Sequence, residues 1–249
     1  MATEHKIQLI SLVIPAYSEE KRLPNTLDEL AQFLKNNLTK YDIEVIVVVA
    51  DSPDKTLDVA NDYKHTFSDY RYHIVRPGKR SGKGRDVRAG MQIASGDIRI
   101  FFDADLATPL HHLNTMVADF ENGKDVVIGK RKLSTIHSSS LRSFVSQLGN
   151  ISSKVFVNVY YEDTQCGFKG FTAHATDVCF GRQTILGWGF DIELLAIAKI
   201  YNLKVGEIVI SDWEDKAGGS LTGNVVASSL RTLKELIIIK RNLNAGKYR

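Results

Sequence analysis

Cysteine is scarce in this chain of 249 residues: there are two, Cys166 and Cys179. They form no CxxC pair and no metal-ligand spacing. That excludes a disulfide scaffold or zinc ribbon and fits reduced thiols in a cytosolic setting. Proline is sparse at five, and no stretch is rich in proline or glycine, so no linker of that kind divides the chain. No window reaches the roughly 18 consecutive apolar residues of a spanning helix. The opening Met1–Lys6 has no apolar run of the secretory kind. The expectation is a cytoplasmic protein not integral to a membrane. An excess of one charge is also missing, with 32 Lys and Arg against 29 Asp and Glu, a net charge of +3. That balance does not argue for nucleic acid. It leaves open a phosphate-bearing substrate or an anionic membrane surface. The seven histidines form no obvious ligand set. His111 and His112, adjacent on a predicted helix, are expected to point to different sides in structural or surface roles.

What is present is an alternation of short apolar runs with amphipathic ones. Strands are predicted at residues 9–14, ending at Pro15, and at 44–49, 72–75, 98–102 and 125–128. Helices are predicted at 56–64, 84–94 and 109–121, and one running to Asn37, with Thr26 and Glu29 as a capping box. This βαβ rhythm with short connections implies one α/β domain, a mostly parallel sheet flanked by helices. The second half is less regular. It reads as a helix over 141–160, a strand over 163–172 with a tight turn at Gly167, a helix over 190–201, a strand over 205–210 and a final helix over 225–241. In parallel sheets ligands bind beyond the carboxyl ends of the strands, so the polar residues there are the first candidates.

Asp103 and Asp105 follow a strongly apolar strand. Two carboxylates held so close repel each other. A hard divalent cation, Mg²⁺ or Mn²⁺, relieves that repulsion, with donor phosphates completing its shell. The segment Gly82–Arg88 has the look of a phosphate cradle. Its glycines permit close backbone approach, and Lys83, Arg85 and Arg88 bring positive charge to a helix N-terminus. Its spacing fits neither G-x-x-x-x-G-K-[ST] nor G-x-G-x-x-G, which argues against a dinucleotide oxidoreductase. A nucleotidyltransferase should carry a Gly-rich basic loop after its first strand. Ala16-Tyr17-Ser18-Glu19-Glu20 stands there instead.

Taken in order, these segments resemble the family 2 glycosyltransferases of GT-A fold, and among them the dolichyl-phosphate (polyprenyl-phosphate) β-glucosyltransferase group. The resemblance runs from about residue 9 to residue 220. It rests on Val13–Tyr17 with Glu19, Gly82-Lys83-Gly84 with Val87–Met91, Asp103–Leu106, Asp163–Lys169, Trp188–Leu195, and Trp213-Glu214 with Gly219-Ser220. The string Asp163-Thr164-Gln165-Cys166-Gly167-Phe168-Lys169 is the most specific of them. Where the family carries Asp-Asp-Gly-Ser, this chain reads Val49-Ala50-Asp51-Ser52, which leaves uridine or guanosine open. The resemblance also implies an N-terminal membrane anchor in eukaryotic relatives, and none is expected from the opening Met1–Lys6.

The resemblance implies inverting transfer of a hexose, glucose, from a nucleotide sugar, UDP-glucose, to a polyprenyl or dolichyl phosphate. Donor contacts are expected from Pro15, Ala16, Tyr17, Glu19, Asp51, Lys83, Arg88, Asp103, Ala104 and Asp105, with the metal on Asp103 and Asp105. Arg131 and Arg142 are expected to take the acceptor phosphate, since arginine suits planar bidentate recognition. Asp163 and Asp191 are the catalytic candidates, as sugar ligands or, with an alcohol acceptor, as base. Residues 1–130 would bind the donor, 131–221 the acceptor, and 222–249 form an amphipathic basic helix and tail touching a membrane surface. A GDP-mannose-dependent dolichyl-phosphate mannosyltransferase, a soluble family 2 enzyme acting on a glycan or small alcohol, and a noncatalytic binder are the alternatives.

Overall fold

The computed structural model describes residues 6–132, 159–214 and 225–249. Among these residues the elements run β1 (Leu9–Ala16), α1 (Leu23–Asn36), β2 (Asp42–Val49), α2 (Thr56–Asp62), β3 (Arg71–Val75), α3 (Lys83–Ile93), β4 (Ile98–Phe102), α4 (His112–Glu121) and β5 (Val126–Arg131). There follow β6 (Phe168–Thr172), α5 (Ala173–Arg182), α6 (Phe190–Ile200), β7 (Val205–Ile210) and α7 (Val225–Asn244). The strands form one seven-stranded sheet in the order β3-β2-β1-β4-β6-β5-β7. All neighbours are parallel except β6, which runs antiparallel to β4 and to β5. The expected single α/β domain with a mostly parallel sheet is the one observed.

The central strands are mostly apolar because both faces are covered, with Ser11, Glu44, Arg99 and Lys169 as exceptions. Ile10, Leu12 and Ile14 of β1 point to the layer of α1, α2 and α4. Val13 points the other way, with Ile46, Val48 and Phe101, into the layer of α3, α5, α6 and α7. Each fully buried aliphatic side chain of this kind contributes about 1.5–3 kcal/mol. Helix α6 is buried from Phe190 through Ala198, and its two buried carboxylates, Asp191 and Glu193, are both held by hydrogen-bond donors. Gly90 lets α3 lie directly on the sheet, because a side chain there would strike Val13 and Val48.

Several boundaries differ from the sequence expectation. β1 continues through Pro15 to Ala16, paired in register with Val48 and Val49. Proline is tolerated at this strand end. Helix α1 begins a turn before Thr26, at Leu23, with Pro24 in its first turn and no side-chain cap. Thr26 is therefore inside the helix, and its hydroxyl faces the Ala104 and Arg22 carbonyls at 2.5 and 3.1 Å instead of accepting an N–H as a cap does. The strand expected over 163–172 is shorter, Phe168–Thr172. It runs straight into α5, a helix that the sequence pattern does not announce and that Thr172 caps by accepting the Ala175 N–H at 3.1 Å. His111 precedes α4 instead of lying within it. Its ring nevertheless lies beside His112, centroids 4.2 Å apart, against the expectation that the two diverge, because both reach the Asp212 carboxylate. The helix expected over 141–160 lies almost wholly outside the described residues.

Candidate active site

The carboxyl ends of β1, β2 and β4 open on one side of the sheet, and the turns that follow them are tied together. The Ser18, Glu19 and Glu20 amides donate to Ser52 Oγ, Thr56 Oγ1 and Asp54 Oδ2 at 2.9, 2.8 and 3.1 Å. Asp54 Oδ1 also accepts the Ser52 and Thr56 hydroxyls at 2.5 and 2.6 Å. Burial pushes the Asp54 carboxyl up, but these donors outweigh it and hold it below its ordinary value. Sequence reasoning gives Asp54 no role. Its spacing, Ser-x-Asp-x-Thr at a helix start, is the one signal that points to it.

After β4, Ala104 is buried and its carbonyl is held by Thr26, while Asp105 Oδ1 accepts the Ala107 amide at 3.0 Å. These bonds fix the turn between the two aspartates. Burial, and then the charge of Asp103, push the Asp105 carboxyl up. The ammonium of Lys83, from the first turn of α3, pairs with Asp103. Burial lowers Lys83, but Asp103 and Asp191 outweigh it and hold the lysine above its ordinary range. Gly82 enters α3 at φ +138°, and a side chain there would collide with the Leu186 carbonyl. Gly167 closes the cluster. A Cβ at that position would overlap the Asp103 carboxylate and crowd Lys83, so only glycine lets the segment before β6 approach so closely.

Two buried ion pairs stand beside this cluster. Arg131, at the end of β5, donates from Nε and Nη2 to Asp163 at 2.6 and 2.9 Å, the bidentate geometry of a strong charge-assisted pair. Burial alone would raise the Asp163 carboxyl, but Arg131 outweighs it and holds it low. Trp213 lies 5.3 Å from the Arg131 guanidinium and lines a small pocket with Phe102, Asp103, Thr108 and Gly167. Asp191, in the first turn of α6, accepts from the fully buried Lys169 at 2.7 Å. Lys169 also donates to the Cys166 carbonyl. Burial pushes the Asp191 carboxyl up against the pull of Lys169 and Lys83. Lys169 belongs to the most specific string in the chain, yet the sequence does not disclose its role. A lone lysine gives no sign that its partner lies 22 residues on.

The structure thus brings Lys83, Asp103, Asp105, Asp163, Asp191 and Arg131 to one region. Other expected residues sit further out or are otherwise engaged. The Glu19 carboxylate is bound by Arg22 at 2.6 and 2.5 Å. The Tyr17 ring lies 4.0 Å below the Arg80 guanidinium. Asp51 is exposed, 3.5 Å from Arg76. Arg88 donates to the Gln183 carbonyl at 3.1 Å and so fastens α3 to the end of α5. Pro15 and Ala16 contribute the end of β1. Arg142, Gly219 and Ser220 lie outside the described residues.

The carboxylate pair fits a hard cation. Asp103 raises the cost of ionising Asp105, and Asp103 already draws a cation, Lys83, to itself. Oxygen ligands of this kind suit Mg²⁺ or Mn²⁺. Two aspartates leave most of such an ion's shell to other oxygens.

The model of glycosyl transferase family 2 matches residues 11–173. A dolichyl-phosphate beta-glucosyltransferase of Trichomonas vaginalis is 29% identical over 94% of this chain and 75% of its own length. The human dolichyl-phosphate beta-glucosyltransferase is 30% identical over 96% of this chain and 77% of its own. Among solved structures, glucosyl-3-phosphoglycerate synthase from Mycobacterium tuberculosis with UDP superimposes at a TM-score of 0.66. It has 18% identity and covers 94% of this chain and 80% of its own. The same enzyme with Mn²⁺, UDP and phosphoglyceric acid gives a TM-score of 0.64 at 18% identity, over 94% and 78%.

Proposed function

This chain belongs to glycosyl transferase family 2, and on that premise we propose that it transfers glucose from UDP-glucose to a polyprenyl phosphate of the dolichyl type, with inversion. The observation that carries this reading is the convergence of Asp103, Lys83 and Gly167. It joins the metal-type turn to the Asp163–Lys169 string that resembles the lipid-phosphate glucosyltransferases. The names of the relatives at about 30% identity support the sugar and the acceptor.

In the proposed reaction an acceptor phosphate oxygen attacks the anomeric carbon, and the bond from that carbon to UDP breaks. Asp103 and Asp105 would hold a divalent cation, which supplies charge neutralisation on the departing diphosphate. Lys83 adds a second positive charge at the same place. A phosphate monoester is largely ionised at neutral pH, its second pKa being about 6, so no strong base is needed. Arg131, oriented by Asp163, would then position the acceptor phosphate through the nitrogen that Asp163 does not use, next to Trp213. Asp191, kept in place by Lys169, is the nearest candidate for binding sugar hydroxyls.

Residues 1–130 would serve the donor and 131–221 the acceptor. Helix α7 offers a membrane contact. Leu236 and Ile239 are buried, while Leu233, Ile237 and Ile238 are exposed among Arg231, Lys234, Lys240 and Arg241. An apolar strip flanked by cations suits an anionic lipid surface.

The test is incubation of the protein with radiolabelled UDP-glucose or GDP-mannose, Mn²⁺ and dolichyl phosphate. Label from UDP-glucose entering the lipid phase supports the proposal. Label from GDP-mannose alone replaces the donor, label on a water-soluble acceptor alone replaces the acceptor, and transfer to neither kind of acceptor sinks the reading.

A further inference from the structure

We propose that His111, His112 and Asp212 form a second cation site, separate from Asp103 and Asp105 and suited to a borderline transition ion such as Zn²⁺. The three residues come from two places. His111 precedes α4, His112 is its first residue, and Asp212 follows β7. His112 Nε2 is 2.6 Å from Asp212 Oδ1, and His111 Nε2 is 3.3 Å from Asp212 Oδ2. One ligand atom from each lies within 4.8 Å of the other two. The two rings lean together, centroids 4.2 Å apart at 37°, so both nitrogens face one carboxylate.

Two imidazoles and a carboxylate are a different ligand set from the paired aspartates. Imidazole favours zinc, nickel, cobalt and copper over magnesium. Three protein ligands leave a fourth position of a tetrahedral ion to water. The fold has already met part of the cost of assembly. His112 is buried, and its ring nitrogen already engages the Asp212 carboxylate at 2.6 Å. His111 and Asp212 remain open to solvent, so an ion can enter.

The place of the site gives it a purpose. Asp212 immediately precedes Trp213, which lines the pocket beside Asp103. Glu214, one residue further, donates its amide to the Ala107 carbonyl at 3.0 Å. An ion on His111, His112 and Asp212 would clasp the segment after β7 to the loop that follows the paired aspartates. It would thereby hold Trp213 in the pocket wall.

The experiment uses the full chain, freed of metal by chelation and then kept in excess Mg²⁺ to satisfy the aspartate pair. Zn²⁺ is added while thermal unfolding is followed, and Co²⁺ while its visible spectrum is recorded. Saturating Zn²⁺ should raise Tm by about 5 °C or more, and Co²⁺ should develop the intense bands of low coordination. His111→Ala, an exposed change that leaves the fold intact, and Asp212→Asn should weaken both responses. Loss of a direct ligand should cost at least the ~10–100-fold in affinity that loss of an outer-shell partner costs. Asp103→Asn should leave both responses unchanged. Absence of either response in the wild type, equal responses in His111→Ala, or responses lost only in Asp103→Asn would each overturn the proposal.

Discussion

The Arg131 guanidinium forks onto the Asp163 carboxylate, with Nε 2.6 Å from one oxygen and Nη2 2.9 Å from the other, and both side chains are largely buried. Removing one partner strands the other charge. Arg131→Met should therefore cost about 3–5 kcal/mol of stability. Arg131→Met combined with Asp163→Leu should recover part of that loss, because no buried charge is then left alone. Denaturant unfolding of the single and double variants measures both values. A double variant as unstable as the sum of the singles would contradict the coupling.

The same pair shapes the acid limb of stability. The Asp163 carboxyl is held below its ordinary value of 3.8. A lowered folded pKa means that the unfolded chain binds more protons in that range. The contribution is therefore complete above about pH 4 and disappears as pH falls through the lowered folded value. Asp163→Asn should flatten the pH profile of Tm on the acid side and leave its shape near neutrality alone.

Asp86 should behave in the opposite sense. It is buried near the start of α3, one of its oxygens has no hydrogen-bond partner among the described residues, and burial pushes its carboxyl up to about 6. A raised folded pKa favours the neutral acid, so stability falls as pH climbs from about 4 through 6. Asp86→Asn removes that loss. The variant should gain stability at pH 8, by up to about 3 kcal/mol at 1.36 kcal/mol per pKa unit, and gain little at pH 4. Tm against pH for the two proteins tests it.

Lys83 and Asp103 separate charge neutralisation from metal retention. Lys83→Met should lower turnover with UDP-glucose by roughly 10²–10³-fold, the scale of one lost electrostatic contact in a transition state. It should not weaken Mn²⁺ binding, since it frees the Asp103 carboxylate from its present partner. Asp103→Asn should lose both. Titrating Mn²⁺ beside kinetic assays distinguishes the two variants.

Gly167 tests whether the approach of the β6 segment matters to chemistry. Gly167→Ala puts a methyl group into the Asp103 carboxylate. A displacement of about 1 Å in such a site can cost roughly 10²-fold in rate. The rate measured with UDP-glucose should fall on that scale while far-ultraviolet circular dichroism stays unchanged.

The strands at Ile98–Phe102 and Val205–Ile210 are legible in the sequence to the residue, since each is a short β-rich run bounded by turn residues. The position of Asp103 and Asp105 just beyond a buried strand is legible too, since the apolar run 98–102 ends directly before them. What escapes reading depends on partners distant in sequence. Lys169 looks like a surface cation until Asp191 is placed beside it. Glu193, within an expected acceptor motif, instead accepts the Thr184 and Ile185 amides and the Tyr248 hydroxyl, and so anchors the end of the chain. Helix α5 is hidden because Ala173–Arg182, which carries Gly181, has a weak apolar pattern and follows β6 without a loop. His111 and His112 read as diverging because the carboxylate that both rings meet, Asp212, lies 100 residues beyond His112.

The antiparallel strand β6 has a consequence for how the chain matures. β4 and β5 are consecutive strands, yet they are not neighbours in the sheet. β6 lies between them, and the other neighbour of β5 is β7. A chain emerging from the ribosome can join β1, β2, β3 and β4 as each appears. β5 must wait, its edge open, until residues 168–172 and 205–210 have been synthesised. Late partners of this kind slow folding and leave sticky edges exposed meanwhile. Nascent chains halted shortly after residue 131 should therefore engage chaperones strongly, and those released beyond residue 210 far less.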